Sequence, residues 1–264
     1  MADANIIGVV SIKGGVGKTT ATSSIGVSLA EDFHKKVLII DANLGVPNLG
    51  FHFNEPFPEV SLFDVLNERV DIKEAIVEYG HQIHLLLTPL SDEEADLSKL
   101  GDKLEDVRKD YDFILLDSSP TLGSDLFNVM EASDELLPIT SPDYPTMSAG
   151  LKLLHRASEM KIPVRGVIVN KFKRKHFEID IKNIADALQS DILAIVPDDE
   201  SVSDALYNKY PVTLFNPYSN AALKFRKVAA MFAGTTFSPS FFGKLKYKIG
   251  SRGHRRKLRE RFGY

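Results

Sequence analysis

Six short apolar runs, separated by segments with helical periodicity, limit what this chain can fold into. Apolar residues stand at successive rather than alternate positions in each run, as expected when helices cover both faces of a strand. The runs occupy residues 6–11, 36–40, 84–87, 113–116, 166–169 and 192–196. Helical patterns occupy residues 18–33, 95–109, 147–160, 179–188 and 219–232. The alternation predicts an α/β fold, a single doubly wound, mostly parallel sheet with helices on both faces.

The chain is predicted to form one domain followed by a tail. Its 264 residues, 44% of them hydrophobic, can bury a full core. No linker interrupts the pattern before residues 234–239, so residues 1–234 are predicted as the domain and residues 235–264 as the tail. Residues 241–264 carry a net charge of +8, and since the whole chain carries −4, residues 1–240 carry −12. A basic appendage therefore follows an acidic body.

Two absences in the sequence narrow the possible functions. The chain contains no cysteine, which excludes disulfides, thiolate metal sites, iron–sulfur clusters and cysteine nucleophiles. The N-terminus lacks the pattern of a secretory signal, and no apolar run approaches the roughly 20 residues of a membrane span. We therefore expect a cytoplasmic protein that reaches a membrane only peripherally, on its cytoplasmic face.

A glycine-rich turn, SIKGGVGKTT at residues 11–20, joins the first apolar run to the first helical segment. Successive backbone N–H groups of such a turn point at one spot, and the helix N-terminus adds partial positive charge there. Lys18 is placed to neutralise the β and γ phosphates of a nucleotide, and Thr19 offers its hydroxyl to Mg²⁺. The predicted phosphate-binding residues are Gly14, Gly15, Val16, Gly17, Lys18, Thr19 and Thr20.

The turn departs from the general G-x-x-x-x-G-K-T pattern because Ile12 stands at the first glycine position. It matches K-G-G-x-G-K-T-T instead, and so resembles the deviant Walker A motif of the MinD/ParA family, P-loop NTPases of the SIMIBI type. The resemblance implies ATP or ADP with Mg²⁺ as the ligands. It also implies that Lys13 contacts the phosphates bound by the other subunit, so that ATP holds a homodimer together.

The resemblance extends to the metal site and the switch regions. LLDSSP at residues 115–120 is similar to the family's Walker B strand end, which implies that Asp117 holds Mg²⁺ through water. Residues 44–53 lie where the family has its first switch region. Residues 121–125 lie where it has the second. In this family the two segments respond to the γ-phosphate.

Two further segments resemble the family's adenine-binding elements. VNKF at residues 169–172 is similar to a strand end that supplies an adenine-binding asparagine, here Asn170. VPDDESV at residues 196–202 resembles V-P-E-D-x-x-V, which implies that Pro197 and Asp199 lie against the base.

One departure from the family concerns hydrolysis. The family has D-x-D after its second strand, but this chain has Asp41 followed two residues later by Asn43. An asparagine can hold a water molecule but cannot accept its proton. We expect slow hydrolysis, a long-lived ATP state or a partner that completes a catalytic set of Lys13, Lys18, Asp41 and Asn43. Alternatively, Asn43 is simply a turn residue.

The tail has three interpretations. On a helical wheel, Phe241, Phe242, Leu245 and Ile249 share one face with lysines at its edges, the pattern of a helix at a membrane interface. The resemblance supports this, because MinD proteins use a C-terminal helix in this way, and two tails in a dimer would bind more tightly than one. Residues 252–264 are strongly basic and would suit nucleic-acid phosphates equally well. A solvated or partner-binding tail is the third interpretation.

Three hypotheses of function follow. The first is a MinD-like ATP switch on the membrane, which positions a division, motility or envelope machinery through a partner protein that regulates it or is its cargo. The second is a ParA-like partition ATPase whose dimer coats DNA. The third is a module that holds ATP with little turnover. Related iron–sulfur proteins need cysteines, and related tyrosine kinases have a tyrosine-rich tail, whereas this tail contains only Tyr247 and Tyr264.

Overall fold

The computed structural model describes residues 3–262, apart from the side chains of residues 241–244, 246 and 248–252. The strands are β1 (Asn5–Val10), β2 (Val37–Ala42), β3 (Val77–Glu78), β4 (Ile83–Leu86), β5 (Phe113–Ser118), β6 (Glu135–Thr140), β7 (Val167–Phe172) and β8 (Ile192–Pro197). The helices are α1 (Lys18–Phe33), α2 (Leu49–His52), α3 (Leu62–Leu66), α4 (Ile72–Ala75), α5 (Leu100–Glu105), α6 (Ser124–Glu131), α7 (Tyr144–Glu159), α8 (Ile181–Leu188), α9 (Glu200–Tyr207), α10 (Val212–Phe215), α11 (Asn220–Phe232) and α12 (Phe241–Phe262). Short 3₁₀ turns cover Leu97–Lys99 and Arg108–Asp110.

Within the described residues, the strands form one sheet in the order β3-β4-β2-β5-β1-β6-β7-β8. All neighbouring strands in it are parallel except β3, which pairs antiparallel with β4. The predicted fold class is confirmed, and the six apolar runs correspond to β1, β2, β4, β5, β7 and β8. The predicted helix over residues 95–109 is interrupted, because α5 ends at Glu105 and a 3₁₀ turn follows.

Strand β6 was not predicted from the sequence, although it lies in the middle of the sheet between β1 and β7. All six of its residues are buried. Pro138 stands opposite Val10 of β1 and cannot donate a hydrogen bond to the ladder. Because proline usually marks an edge strand or a loop, the segment ELLPIT did not read as a central strand.

Alternate residues of each central strand enter cores on opposite faces of the sheet. On β1 and β2, Ile7 and Ile39 pack with α1, α10 and α11, while Ile6 and Leu38 pack with α3, α5 and α6. Coverage of both faces explains why these strands are apolar at every position. Because all strands except β3 are parallel, their carboxyl ends lie at one edge of the sheet, where the loops of an open α/β fold form binding sites.

The second half of α12 packs against the body. Leu258 is 6% exposed and belongs to the core that includes α1 and α11. The ring of Phe262 stacks on Tyr79, with centroids 4.6 Å apart. Arg261 donates two hydrogen bonds of 2.8 Å to Glu31. The basic end of the tail is thus a docked helix rather than a free extension.

The middle of α12 contacts α10. The hydroxyl of Tyr247 donates to the carbonyl oxygen of Phe215 at 2.7 Å, and His254 Nε2 lies 2.7 Å from the carbonyl oxygen of Leu214. The guanidinium of Arg255 lies 4.3 Å from the centre of the Phe215 ring. These contacts hold the helix on the same side of the sheet as α1.

The predicted interfacial face of the tail lies mostly outside the described side chains. The side chains of Phe241, Phe242 and Ile249 are outside the described part of the structure. Residues 263–264 of the tail are outside it in both backbone and side chain. Leu245, on the same face of the helical wheel, is 47% exposed. None of the helices in the described part of the chain is long and apolar enough to cross a bilayer.

Close packing of α1 on the sheet gives a test of this arrangement. A Cβ added at Gly26 would lie 2.6 Å from Ile39 Cδ1 and 2.9 Å from Leu115 Cδ1, both in the core. We expect Gly26→Ala to lower the free energy of unfolding by about 1–3 kcal/mol through overpacking. Urea denaturation measures it. The control is Gly101→Ala in α5, where the added carbon has ordinary contacts of 3.9 Å and helix propensity predicts a gain of up to about 1 kcal/mol. Equal gains in both variants would contradict the packing.

Candidate nucleotide-binding site

The predicted phosphate-binding turn lies between β1 and α1, at the carboxyl edge of the sheet. Gly15 and Gly17 have positive φ angles of 76° and 93°, a region that favours glycine. A Cβ at Gly17 would also overlap the side-chain amide of Asn170. Gly17 is the N-cap of α1, no side chain caps this helix, and its first turn has no acidic residue. The amide groups of that turn therefore suit an anionic ligand.

The turn forms one wall of a cleft of about 680 Å³, within the size range of ligand pockets. Most of the predicted ligand-binding residues line it: Gly14, Gly15, Gly17, Lys18, Thr19, Thr20, Asn43, Asn170, Pro197 and Asp199. Four predicted residues do not. Val16, Asp41 and Asp117 are buried behind the wall, and Lys13 points elsewhere. The fold thus assembles the lining predicted residues from four separate segments of the sequence.

Lys18 and Thr19 form the polar floor of the cleft, and Asp117 lies buried directly behind them. The Thr19 hydroxyl donates to Asp117 Oδ2 at 2.6 Å, and the Thr22 hydroxyl donates to Oδ1 at 3.4 Å. Burial raises the pKa of Asp117 to about 6. Burial also lowers the pKa of Lys18, although the Asp117 carboxylate opposes this shift. Thr22, which lies one helical turn after Lys18, was not predicted from the sequence.

Asp41 lies directly beside Asp117, because the two residues are in register on the neighbouring strands β2 and β5. Burial, and then repulsion from Asp117, raise the pKa of Asp41 well above its usual range. Its carboxylate accepts backbone N–H groups from Asn43 at 3.2 Å, Asn48 at 3.0 Å and Leu49 at 2.8 Å. Asp41 therefore holds the start of the predicted first switch region in place.

The paired carboxylates are suited to Mg²⁺ bound together with a nucleotide. Two buried like charges are unfavourable, and a nearby cation relieves them. Among the residues that the structure describes, no cluster of three or more His, Cys, Asp or Glu side chains could hold a metal by itself. Mg²⁺ commonly uses only one or two carboxylates and completes its shell with phosphates and water. Thr19, Asp41 and Asp117 fit this mode of binding.

Asn43 bonds to its own loop in two ways. Its Nδ2 donates to the carbonyl oxygen of Val46, and its Oδ1 accepts the Val46 N–H at 3.4 Å. Asn48 Nδ2 donates to the same carbonyl at 2.8 Å. The interpretation of Asn43 as a turn residue therefore has a structural basis, and the same residue lines the cleft wall.

Lys13 is outside the cleft. Its ammonium lies 3.4 Å from Asp143 Oδ1, and 45% of each side chain is exposed. Asp143 is the N-cap of α7 and accepts the backbone N–H of Thr146 at 2.9 Å. This aspartate was not predicted from the sequence. An accessible Lys13 beside the turn is compatible with the predicted contact across a dimer, which remains a prediction.

The predicted adenine side of the cleft is held by structural hydrogen bonds. Asn170 Nδ2 donates to the Val16 carbonyl at 2.7 Å, which ties β7 to the phosphate-binding turn. Asp199 caps α9 by accepting the N–H of Ser201 at 3.0 Å, and it also accepts the N–H of Ala221 at 3.0 Å. Contact of Asn170, Pro197 and Asp199 with a base remains a prediction.

Exposed apolar side chains that line the cleft were not predicted from the sequence. Tyr207 and Leu206 at the end of α9 are 87% and 42% exposed, and Phe51 of α2 is 46% exposed. They come from short helices whose positions depend on the fold. Large exposed apolar groups beside a polar floor suit a ligand with a flat ring and a charged end.

The raised pKa of Asp117 predicts a pH-dependent effect on stability. A carboxyl group whose pKa is higher in the folded state makes the protein less stable as pH rises between the two pKa values. For Asp117 these are about 4 in the unfolded state and about 6 in the folded state. We expect Asp117→Asn to increase the free energy of unfolding without nucleotide by on the order of 2 kcal/mol at pH 7.5. The gain should disappear below about pH 4, where the wild-type carboxyl is protonated in both states.

Urea unfolding across this pH range measures the effect, with the exposed Asp92→Asn as the control. A lower stability of Asp117→Asn at pH 7.5, or an equal gain in Asp92→Asn, would show that burial of Asp117 is not the cause.

The comparisons with known proteins agree with this geometry. The sequence model of a family described as an AAA domain matches residues 4–163. An uncharacterized ATP-binding protein of Methanocaldococcus jannaschii is 32% identical over 87% of this chain and 88% of that protein. The septum site-determining protein MinD of Thermotoga maritima is 30% identical over 87% of this chain and 88% of its own length.

A solved structure extends the match to three dimensions. MinD of Pyrococcus horikoshii, determined in complex with Mg-ADP, superposes with a TM-score of 0.82 at 27% identity. The superposition covers 86% of this chain and 95% of that one. Together with the lysine-flanked phosphate turn and the paired strand-end carboxylates, these similarities show that the chain belongs to the MinD/ParA family of P-loop ATPases.

Proposed function

We propose that this protein binds Mg-ATP, dimerises around it and hydrolyses it slowly. One arrangement supports this proposal. The uncapped start of α1 and the buried Lys18 lie next to Thr19 and Asp117. Such a site offers donors to phosphates, a positive charge and oxygen ligands for Mg²⁺ within one cleft. Lys13, 45% exposed beside the cleft, would exchange its ion pair with Asp143 for the phosphates of a second copy.

Each residue has a separate part in hydrolysis. The amides of α1 and Lys18 hold the phosphates, while Thr19, Asp41 and Asp117 would hold Mg²⁺, which neutralises phosphate charge when bound. Asn43 can orient the attacking water by a hydrogen bond but cannot accept its proton. Its bonds to Val46 further restrict it, so we propose a long-lived ATP state. The same restriction favours the second candidate function, a module that holds ATP with little turnover.

A change at position 43 tests the slow step. Asn43→Asp should raise ATP turnover by at least about tenfold, because a carboxylate can accept the proton of the water. Asn48→Asp is a matched control, since it adds the same charge to the same loop and loses a similar bond to Val46. Steady-state phosphate release measures both. If the native rate already equals that of Asn43→Asp, or Asn48→Asp is accelerated equally, position 43 does not limit hydrolysis.

We further propose that the ATP dimer attaches to the cytoplasmic membrane face through the first half of α12. Leu258 and Phe262 are used in packing against the body, so only the first half has an exposed apolar side chain, Leu245, among those described. Two such helices on one dimer would bind more strongly than one. The name of the MinD relatives, septum site-determining protein, supports a role in positioning a division, motility or envelope machinery through a partner protein.

Co-sedimentation with anionic vesicles tests membrane attachment. The native protein should pellet with vesicles more strongly in ATP than in ADP, and Leu245→Glu should weaken this by on the order of tenfold through lost burial and added negative charge. Leu90→Glu, at a leucine that is 71% exposed in the body, is the control.

Parallel sedimentation with DNA separates the alternatives. Binding to DNA that requires ATP and falls with salt would replace the membrane proposal with the ParA-like one. If ATP changes binding to neither vesicles nor DNA, the switch proposal is contradicted.

A further inference from the structure

We propose that a basic groove beside the tail is a second membrane contact, which binds the phosphates of anionic lipids. The groove is lined by the cations Lys173, Arg174, Lys175, Lys224 and Lys227, and its volume is about 820 Å³. It lies at the carboxyl ends of β7 and β8, between the loop after β7 and helix α11. The inference rests on the membrane attachment proposed above and specifies a part of the surface that the tail does not supply.

The loop after β7 is held by one acidic residue. The Glu178 carboxylate accepts the backbone N–H groups of Lys173 at 2.8 Å and Lys175 at 2.9 Å. Arg174 between them has a positive φ of 57°. Glu178 thus fixes the backbone of the loop without an ion pair to its cations, and all three cationic side chains are exposed. The loop presents three consecutive positive charges on an ordered backbone.

The charge of the groove is largely uncompensated. Lys173 pairs with Asp198 at 3.5 Å. The other four cations, Arg174, Lys175, Lys224 and Lys227, make no ion pair with any residue in the described part of the chain. Residues 1–240 nevertheless carry a net charge of −12, so this concentration of positive charge is a local exception. Repulsion among these cations is relieved by a multivalent anion.

Neighbouring apolar groups favour a membrane over a small soluble anion. Phe177, two residues after Lys175, is 68% exposed. An exposed aromatic ring next to several cations is the composition of a segment that lies at a lipid interface, with the ring near the acyl boundary and the cations near headgroups. A free phosphate would use the charges but leave the ring in water.

The groove adjoins the start of the tail. Pro239, two residues before α12 begins, forms part of its lining. A lipid surface that receives the first half of α12 therefore passes close to the groove. Two weak contacts on one body act together, since the first contact raises the effective concentration of the second. Together, the tail and the groove would fix the orientation of the body at two places on the membrane.

Charge reversal in the groove tests the proposal. Arg174→Glu combined with Lys175→Glu should reduce binding to vesicles that contain anionic phosphatidylglycerol, in ATP, by at least about 20-fold, because each basic residue near such a surface strengthens binding about fivefold. The matched control is Lys109→Glu with Lys161→Glu. This pair has the same charge change and lies before β5 and β7, at the opposite edge of the sheet. It should change binding less than about twofold.

The outcomes separate this inference from the proposal on which it rests. If the groove variant loses vesicle binding and the control variant does not, the lipid contact of the groove is supported. If the native protein and the groove variant bind vesicles equally, the proposed lipid contact of the groove is overturned and the proposed attachment through the tail is unaffected. If the native protein does not bind vesicles in ATP, the attachment itself fails. A groove variant that loses binding to double-stranded DNA and keeps binding to vesicles overturns the inference in favour of nucleic acid.

A spectroscopic measurement tests the position of the ring directly. The chain has no tryptophan, so Phe177→Trp gives a single reporter. Its emission should shift to shorter wavelength when anionic vesicles are added in ATP, while the same change at Phe57, which is 79% exposed, should show no shift. Binding of Phe177→Trp to vesicles without an emission shift would overturn the contact.

Discussion

The paired burial of Asp41 and Asp117 on neighbouring strands is the constraint on which the rest of the site depends. Two carboxylates in this position are unfavourable by themselves, and burial raises the pKa of each. Hydroxyls from α1 bond to one carboxylate, and backbone amides from residues 43–49 bond to the other. The glycine-rich turn and the predicted first switch loop are therefore joined through this pair, where the charge of the proposed Mg²⁺ and nucleotide would act.

The same loop connects the site with the tail. Phe53, directly after α2, contacts Tyr79 edge-on at 4.9 Å, and Tyr79 stacks on Phe262 at the end of α12. The far end of the tail is thus held by the body close to the switch loop, whereas its near end exposes Leu245 and adjoins the basic groove. Membrane contact, as proposed, uses the part of the helix that the body leaves accessible.

Sequence patterns predicted the elements with strong local signals. The α1 bounds, six strands and the phosphate-binding turn were read from apolar periodicity and glycine spacing. Strand β6 was missed because Pro138 contradicts the pattern of a central strand. The groove was missed for another reason. Lys175 and Lys224 stand far apart in sequence, and neither the loop nor α11 carries a charge pattern that predicts their meeting.

The sequence by itself determined the fold class, the chemistry of the turn and the family, because these depend on residue types at short, fixed spacing. Only the tertiary structure decided which groups meet. The register of β2 against β5 placed Asp41 beside Asp117, and packing against the body buried Leu258 in a segment too basic to predict it. Such contacts join residues distant along the chain, and their geometry follows from how the whole sheet and its helices pack, which no local pattern records.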